Sequence, residues 1–217
     1  PMNIYNFLPQ WIEEMERDFS HPSLIGWCPF NETWDFHGRR QADSVLSQVW
    51  RVTKALDATR PVIDTSGNFH VETDIYDVHD YEQDPEKFVT YYAQIPEGIV
   101  MDQCARSADR ARNTRQHYDG KLPVFVSEYG GIRWTDKKDG WGYGKGPETE
   151  QEFLDRYKGL TDVLLDNEDI MGFCYTQLFD VEQEQNGLMT YDRRFKFDPE
   201  KIRRIMTKPA AMEDGAD

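Results

Sequence analysis

Positive charge is scarce in this sequence. Its 217 residues carry 25 Lys and Arg against 40 Asp and Glu, a formal net charge of −15. Such a field repels phosphate backbones, so no nucleic-acid partner is expected. Cysteine is scarce too. Cys28, Cys104 and Cys174 are scattered, odd in number and form no C-x-x-C, which argues against a disulfide framework. Cys28 and Cys174 lie in apolar runs and read as small core residues. Free thiols point to a reducing, cytoplasmic compartment. No apolar run approaches the roughly 20 residues that cross a bilayer, so no membrane partner is expected. The opening, PMNIYNFLPQ, has no charged region ahead of an apolar core and does not read as a signal peptide; the natural start is expected to lie elsewhere. Internal repeats and low-complexity linkers are missing as well.

Aromatic residues, by contrast, are plentiful. Six Trp, 11 Tyr and 12 Phe make up 13% of the chain. That is enough for the core of one domain, with rings left over to line a cleft. Apolar residues at helical spacing predict helices over residues 9–19, 43–56, 85–92 and 103–117. Another starts behind the T-x-x-E capping box of Thr149 and Glu152, and a last one lies in DPEKIRRIM. Apolar runs predict strands in LIGWCPF, PVIDTS, DIYDVHDY, VFVSEYGG and IMGFCYTQLFD. The domain is expected over residues 1–207, followed by an acidic, disordered tail over 208–217. Mostly alternating strand and helix means an α/β fold with a parallel sheet.

In parallel α/β folds the chemistry sits where strands end. Here the five runs end on Asn31-Glu32, Asp64-Thr65-Ser66, His79-Asp80-Tyr81, Ser127-Glu128-Tyr129 and Thr176-Gln177. Two glutamates on one such face suggest the paired carboxylates of glycoside hydrolysis. One protonates the leaving oxygen; the other attacks the anomeric carbon or activates water. Trp34, Trp134, Trp141 and Tyr143 are candidates to stack on sugar rings. Taken singly, a glutamate after a strand is more often a solvated loop residue. The conjunction carries more weight.

Three stretches resemble the family 2 glycoside hydrolases. HPSLIGWCPFNETW is similar to that family's acid/base strand, PVFVSEYGG to its nucleophile strand, and GFCYTQLFDVEQEQNGLMTYDRR to its eighth strand and following loop. The resemblance runs in the family's order over residues 9–205. It implies Glu32 as general acid and then base, and Glu128 as nucleophile. Asn31 would bond the hydroxyl beside the reacting carbon, and His79 or Tyr81 would touch the nucleophile or substrate. His79 reads equally well as a core-edge histidine held by a neighbour. Tyr129, after Glu128, joins the candidate substrate contacts. Tyr175 falls where many members carry a Trp that floors the sugar site. Glu32 is expected to stay protonated through partial burial and a neighbouring negative charge, and Glu128 to stay ionised, held by donors.

The resemblance implies a (β/α)8 TIM-barrel type fold, present here as strands four to eight only. The partner that completes it is then the remainder of a parent enzyme or a second copy, and the isolated chain is expected to have little activity. The implied substrate is a carbohydrate. Glucuronidases of the family hold the substrate carboxylate with Asn-x-Lys; EQEQNGL here offers Glu184 and Asn186 but no Lys, which favours a neutral sugar, β-galactoside first. No cofactor is needed, although a structural Mg2+ or Na+ near the site fits the resemblance. Two rivals stand beside this reading. One is a non-catalytic half barrel for carbohydrate binding or assembly. The other is a metal hydrolase built on His70, Glu72, Asp74 and His79.

Overall fold

The computed structural model describes residues 4–33, 40–102, 104–106 and 115–213. Five α-helices and three strands alternate along these residues: α1 (Ile4–Asp18), α2 (Asp43–Leu56), β1 (Tyr76–Asp80), α3 (Pro85–Tyr92), β2 (Val124–Gly130), α4 (Glu150–Leu165), β3 (Ile170–Thr176) and α5 (Pro199–Met206). The strands form a parallel sheet in the order β1-β2-β3. The fold is therefore α/β, as the alternation implies.

Two of the five expected strands differ from expectation. Residues 24–31 and 61–66 run parallel, but meet only at isolated bridges, Trp27 with Val62 and Asn31 with Ser66. Backbone bonds such as Ile63 N–H to Trp27 O (2.9 Å) and Ser66 N–H to Phe30 O (2.8 Å) hold them together. Between this pair and β1, side chains take the place of a ladder. Ser66 Oγ donates to Asp77 Oδ2 at 2.7 Å, and Gly67 N–H reaches the same oxygen at 3.2 Å. A polar seam thus separates two apolar clusters. One gathers Trp11, Met15, Trp27, Leu46, Val49 and Val62. The other surrounds the sheet with Phe88, Tyr92, Val126, Tyr129, Phe153 and Tyr157.

Local chemistry explains the helix starts. The Thr149 hydroxyl accepts from Glu152 N–H, opening α4, while Asp84 and Asp198 cap α3 and α5 ahead of a proline at the first position. Each such cap contributes about 1 kcal/mol. Helix α1 begins earlier than residue 9, because Phe7 extends the apolar stripe and stacks on Trp11 and Phe30. The helix expected over 103–117 falls largely outside the described residues; Cys104–Arg106 form a turn. In the expected tail, Ala211–Glu213 form a 3-10 turn and Lys208 bonds Asp162 and Asp166; residues 214–217 lie outside the description.

The cysteines correct an expectation. Cys28 and Cys174 are exposed free thiols, and Cys104 is the buried one. Their strand neighbours Trp27 and Tyr175 face the packed side. Alternation along a strand therefore turns both thiols to the opposite face, and that face is open.

Candidate active site

Glu32, His79 and Glu128 meet at the C-terminal ends of their segments. One oxygen of each carboxylate and a ring nitrogen of His79 lie within 4.8 Å of one another. His79 Nδ1 is 2.9 Å from Glu32 Oε1 and 3.4 Å from Glu128 Oε2. Both glutamates are partly open to solvent, with side-chain exposures of 37% and 26%, whereas the His79 side chain is fully enclosed.

Each residue is held by its own segment. Glu32 N–H donates to Ser66 O at 3.0 Å, and its φ is +48°, the left-handed region that glutamate rarely adopts. The turn lifts the carboxylate off the end of the first segment towards β1. His79 and Glu128 are paired neighbours on β1 and β2. The His79 ring packs on Gly67, where a Cβ would meet it at 2.1 Å; the position also has φ +68°, so only glycine fits. Tyr81 donates its hydroxyl to Glu128 Oε2. Tyr143 stacks flat on Tyr81, with centroids 3.5 Å apart and planes 3° from parallel, which fixes the phenol from the 131–149 loop.

Electrostatics here depart from expectation at Glu128. Burial raises its pKa above the usual carboxylate range. The Tyr81 bond and His79 pull it back, while the negative charges of Glu32 and Glu184 push it up. Donors are present, but burial outweighs them. Burial and the Glu128 carboxylate also drive the Tyr81 phenol far up, so it remains a donor.

The other expected contacts sort themselves by burial. Asn31 is exposed on the rim beside Glu32. Trp34 lies outside the described residues. Tyr129 faces the core, not the site: it is buried and its hydroxyl meets Thr161 at 2.8 Å, as alternation with Glu128 requires. Tyr175 also turns inwards. Its hydroxyl accepts from Ile132 N–H (3.2 Å) and donates to Asn186 O (3.2 Å), so it props two site loops instead of offering a face to sugar. Trp134 packs on Phe153 and Phe197 and borders a separate cleft of about 1020 Å3 with Lys137, Arg194 and Lys196. That cleft has neither Glu32 nor Glu128 in its lining.

His70, Glu72 and Asp74 do not converge on a metal. Glu72 is bonded by Arg51 and Ser47, Asp74 by Lys54 and the Val62 N–H, and His70 lies between Asp64 and Asp77. Sequence reading passed over Asp77. Its signal was the spacing: Asp77 and His79 share a face of β1, two residues apart.

The fold has known relatives. A β-glucuronidase from Lactobacillus rhamnosus superposes with a TM-score of 0.62 over 94% of this chain, at 20% identity. A Faecalibacterium prausnitzii β-glucuronidase gives 0.65 over 95%, at 19% identity. A family 2 β-galacturonidase from Eisenbergiella tayi gives 0.62 over 90%, at 17% identity. This chain has the fold of a stretch of these glycosidases. It spans 35% of the length of each of the three. No family model matches the sequence, and no curated protein matches it significantly.

Proposed function

We propose that this chain carries the catalytic carboxylates of a retaining β-glycoside hydrolase. One observation supports it above all: the carboxylate oxygens of Glu32 and Glu128 approach within 4.8 Å. Retaining enzymes hold their carboxyl groups about 5–5.5 Å apart, whereas inverting ones need about 6.5–9.5 Å to admit a water. Glu128 is the nucleophile, oriented by Tyr81. Glu32, more exposed and hydrogen-bonded to His79, protonates the leaving oxygen and then activates water. Asn31 and the Tyr81–Tyr143 stack line the sugar position. No cofactor takes part, and a structural Mg2+ or Na+ near the carboxylates is compatible with the reading.

The sugar is neutral. Glu184 lies close enough to Glu128 to raise its pKa, and is itself bonded by Asn186 Nδ2 at 3.1 Å. A third carboxylate accepts bonds from sugar hydroxyls and repels a uronate. A β-galactoside is the first substrate to try and a β-mannoside the second, even though the structural relatives named above act on uronides.

Three strands of sheet are too few to enclose a sugar. Met171 and Cys174 on β3, and Leu178 beyond it, are exposed where a closed barrel would bury strand residues. We read the chain as strands four to eight of a (β/α)8 barrel, completed by the rest of a longer enzyme or by a second copy.

The test is hydrolysis of aryl and alkyl β-galactosides, β-mannosides and β-glucuronides. Glu128→Gln is expected to lose more than roughly 10⁴-fold on every substrate. Glu32→Gln is expected to lose about 10²–10⁴-fold on alkyl glycosides and far less on nitrophenyl ones, whose leaving group needs little protonation. Equal losses on both substrate types would remove Glu32 from the acid role. Preference for the glucuronide would overturn the neutral-sugar reading.

A further inference from the structure

Beneath the two carboxylates runs a chain of hydrogen bonds whose direction is set at its buried end. Asp64, His70 and Asp77 are all buried. His70 Nδ1 lies 2.7 Å from Asp64 Oδ1, and Nε2 lies 3.1 Å from Asp77 Oδ1 and 2.8 Å from the Asp77 carbonyl. Burial would lower the pKa of His70, but the two carboxylates outweigh it and hold it well above the usual histidine value. The ring therefore donates in both directions. Burial would likewise raise Asp77, but His70, Ser127 and Ser66 outweigh it and hold its carboxyl low. An ionised carboxylate only accepts.

The rest follows by counting hydrogens. A serine hydroxyl has one. Ser66 gives its hydrogen to Asp77 Oδ2 at 2.7 Å, and Ser127 gives its own to the same oxygen. The Ser66–Ser127 contact of 3.1 Å then carries no hydrogen. Towards His79 Nε2, 2.9 Å away, Ser66 Oγ has only lone pairs to offer, so Nε2 must bear the hydrogen. His79 Nδ1 faces Glu32 and Glu128, two further acceptors. Without another proton, lone pairs of all three groups would converge on one point.

The geometry points to Asp77 as a positioning residue: acting through Ser66, it makes His79 an Nε2–H ring and so stores a proton on the line between His79 Nδ1 and Glu32 Oε1. This rests on the hydrolase reading only for the use of that proton. In the first step the proton passes to the leaving oxygen while the glycosidic C–O bond breaks and the Glu128–carbon bond forms. In the second, water bonds to the same carbon, the Glu128 ester breaks, and one water proton returns to the line.

The tautomer is measured by long-range ¹H–¹⁵N correlation of the histidine rings in the ¹⁵N-labelled chain at pH 7, with His79 assigned by comparison with His79→Gln. Nε2 is expected to be protonated. Asp77→Asn turns the buried end into a donor: its amide bonds Ser66, the Ser66 hydroxyl swings to His79, and the ring hydrogen moves to Nδ1. Ser66→Ala removes the acceptor and is expected to do the same, and it serves alone should Asp77→Asn not fold. A bare Nε2 in the unmodified chain, or an Nε2 still protonated in folded Ser66→Ala, would overturn the proposal. The readout needs no turnover. An Nε2–H ring, with no β-glycoside hydrolysed even by a protein that supplies the remaining strands, would sink the hydrolase reading and leave the hydrogen-bond order standing.

Discussion

Glu32 reaches the site through a backbone conformation with φ +48°. For a residue with a Cβ this costs on the order of 1–3 kcal/mol, held in place by surrounding contacts. The clamp here is the bond from Glu32 N–H to Ser66 O. Glu128 is reached differently, across a register shift in the β1–β2 pairing that sets it opposite His79, and is tuned by burial against donors. Its raised pKa fixes the sign of the pH response. Attack needs the carboxylate, so kcat/KM is expected to fall on the acid side at a pH above that of an ordinary glutamate, about 4.3. Tyr81→Phe removes a donor that favours the ionised form, so the acidic limb is expected to move to still higher pH. A pH profile of kcat/KM for both forms checks this; a limb that stays put would show that Tyr81 does not tune Glu128. The two glutamates were legible in the sequence because they follow apolar runs. Tyr129 and Tyr175 were misread for a physical reason: the sequence shows which residue lies next to a strand end, but not which face it points to.

At the scale of elements, the helices were the most legible part. The bounds of α2 and the caps of α3 and α4 match what spacing and N-cap chemistry imply, although α2 buries Leu46, Val49 and Thr53 and leaves Leu56 exposed. The strands were legible as extended segments but not as a ladder. Residues 61–66 sit beside β1 without a regular pairing, because Asp64, Ser66 and Asp77 fill the seam with side-chain bonds. An Asp in an apolar run gives no hint that it will replace backbone pairing. Asp57, at the end of α2, anchors the first of these segments. It accepts from Trp27 Nε1 at 2.9 Å, from Arg60 at 2.7 Å and from Thr59 at 2.6 Å. Burial opposes its ionisation, but these donors together depress its pKa strongly. A depressed carboxyl adds stability above the unfolded value near 3.9 and loses it as pH falls through the folded one. Asp57→Ala is expected to cost about 3–5 kcal/mol at pH 7. Urea titrations should show that gap narrowing below about pH 4; a gap that persists into acid would mean the loss is packing rather than charge.

At the scale of the molecule, the site lies where two apolar clusters meet, with Glu32 from one side and His79 and Glu128 from the other. The chain matches about a third of each glycosidase described above. A sugar bound here lacks walls on the open face marked by Cys174. Misplacing a substrate by about 1 Å costs roughly 100-fold. Turnover by the 217-residue chain is therefore expected to be at least that far below turnover in a protein that supplies the remaining strands; equal rates would show that the half sheet suffices. Slow turnover does not hide the chemistry if the intermediate is trapped. The central claim is that Glu128 bonds covalently to the sugar. The decisive measurement is intact and peptide mass spectrometry of this chain after incubation with an activated 2-deoxy-2-fluoro-β-galactoside. One fluoroglycosyl unit on the peptide bearing Glu128, missing from Glu128→Gln, is the expected result. No adduct on the folded chain, or an adduct on Glu32, would contradict it.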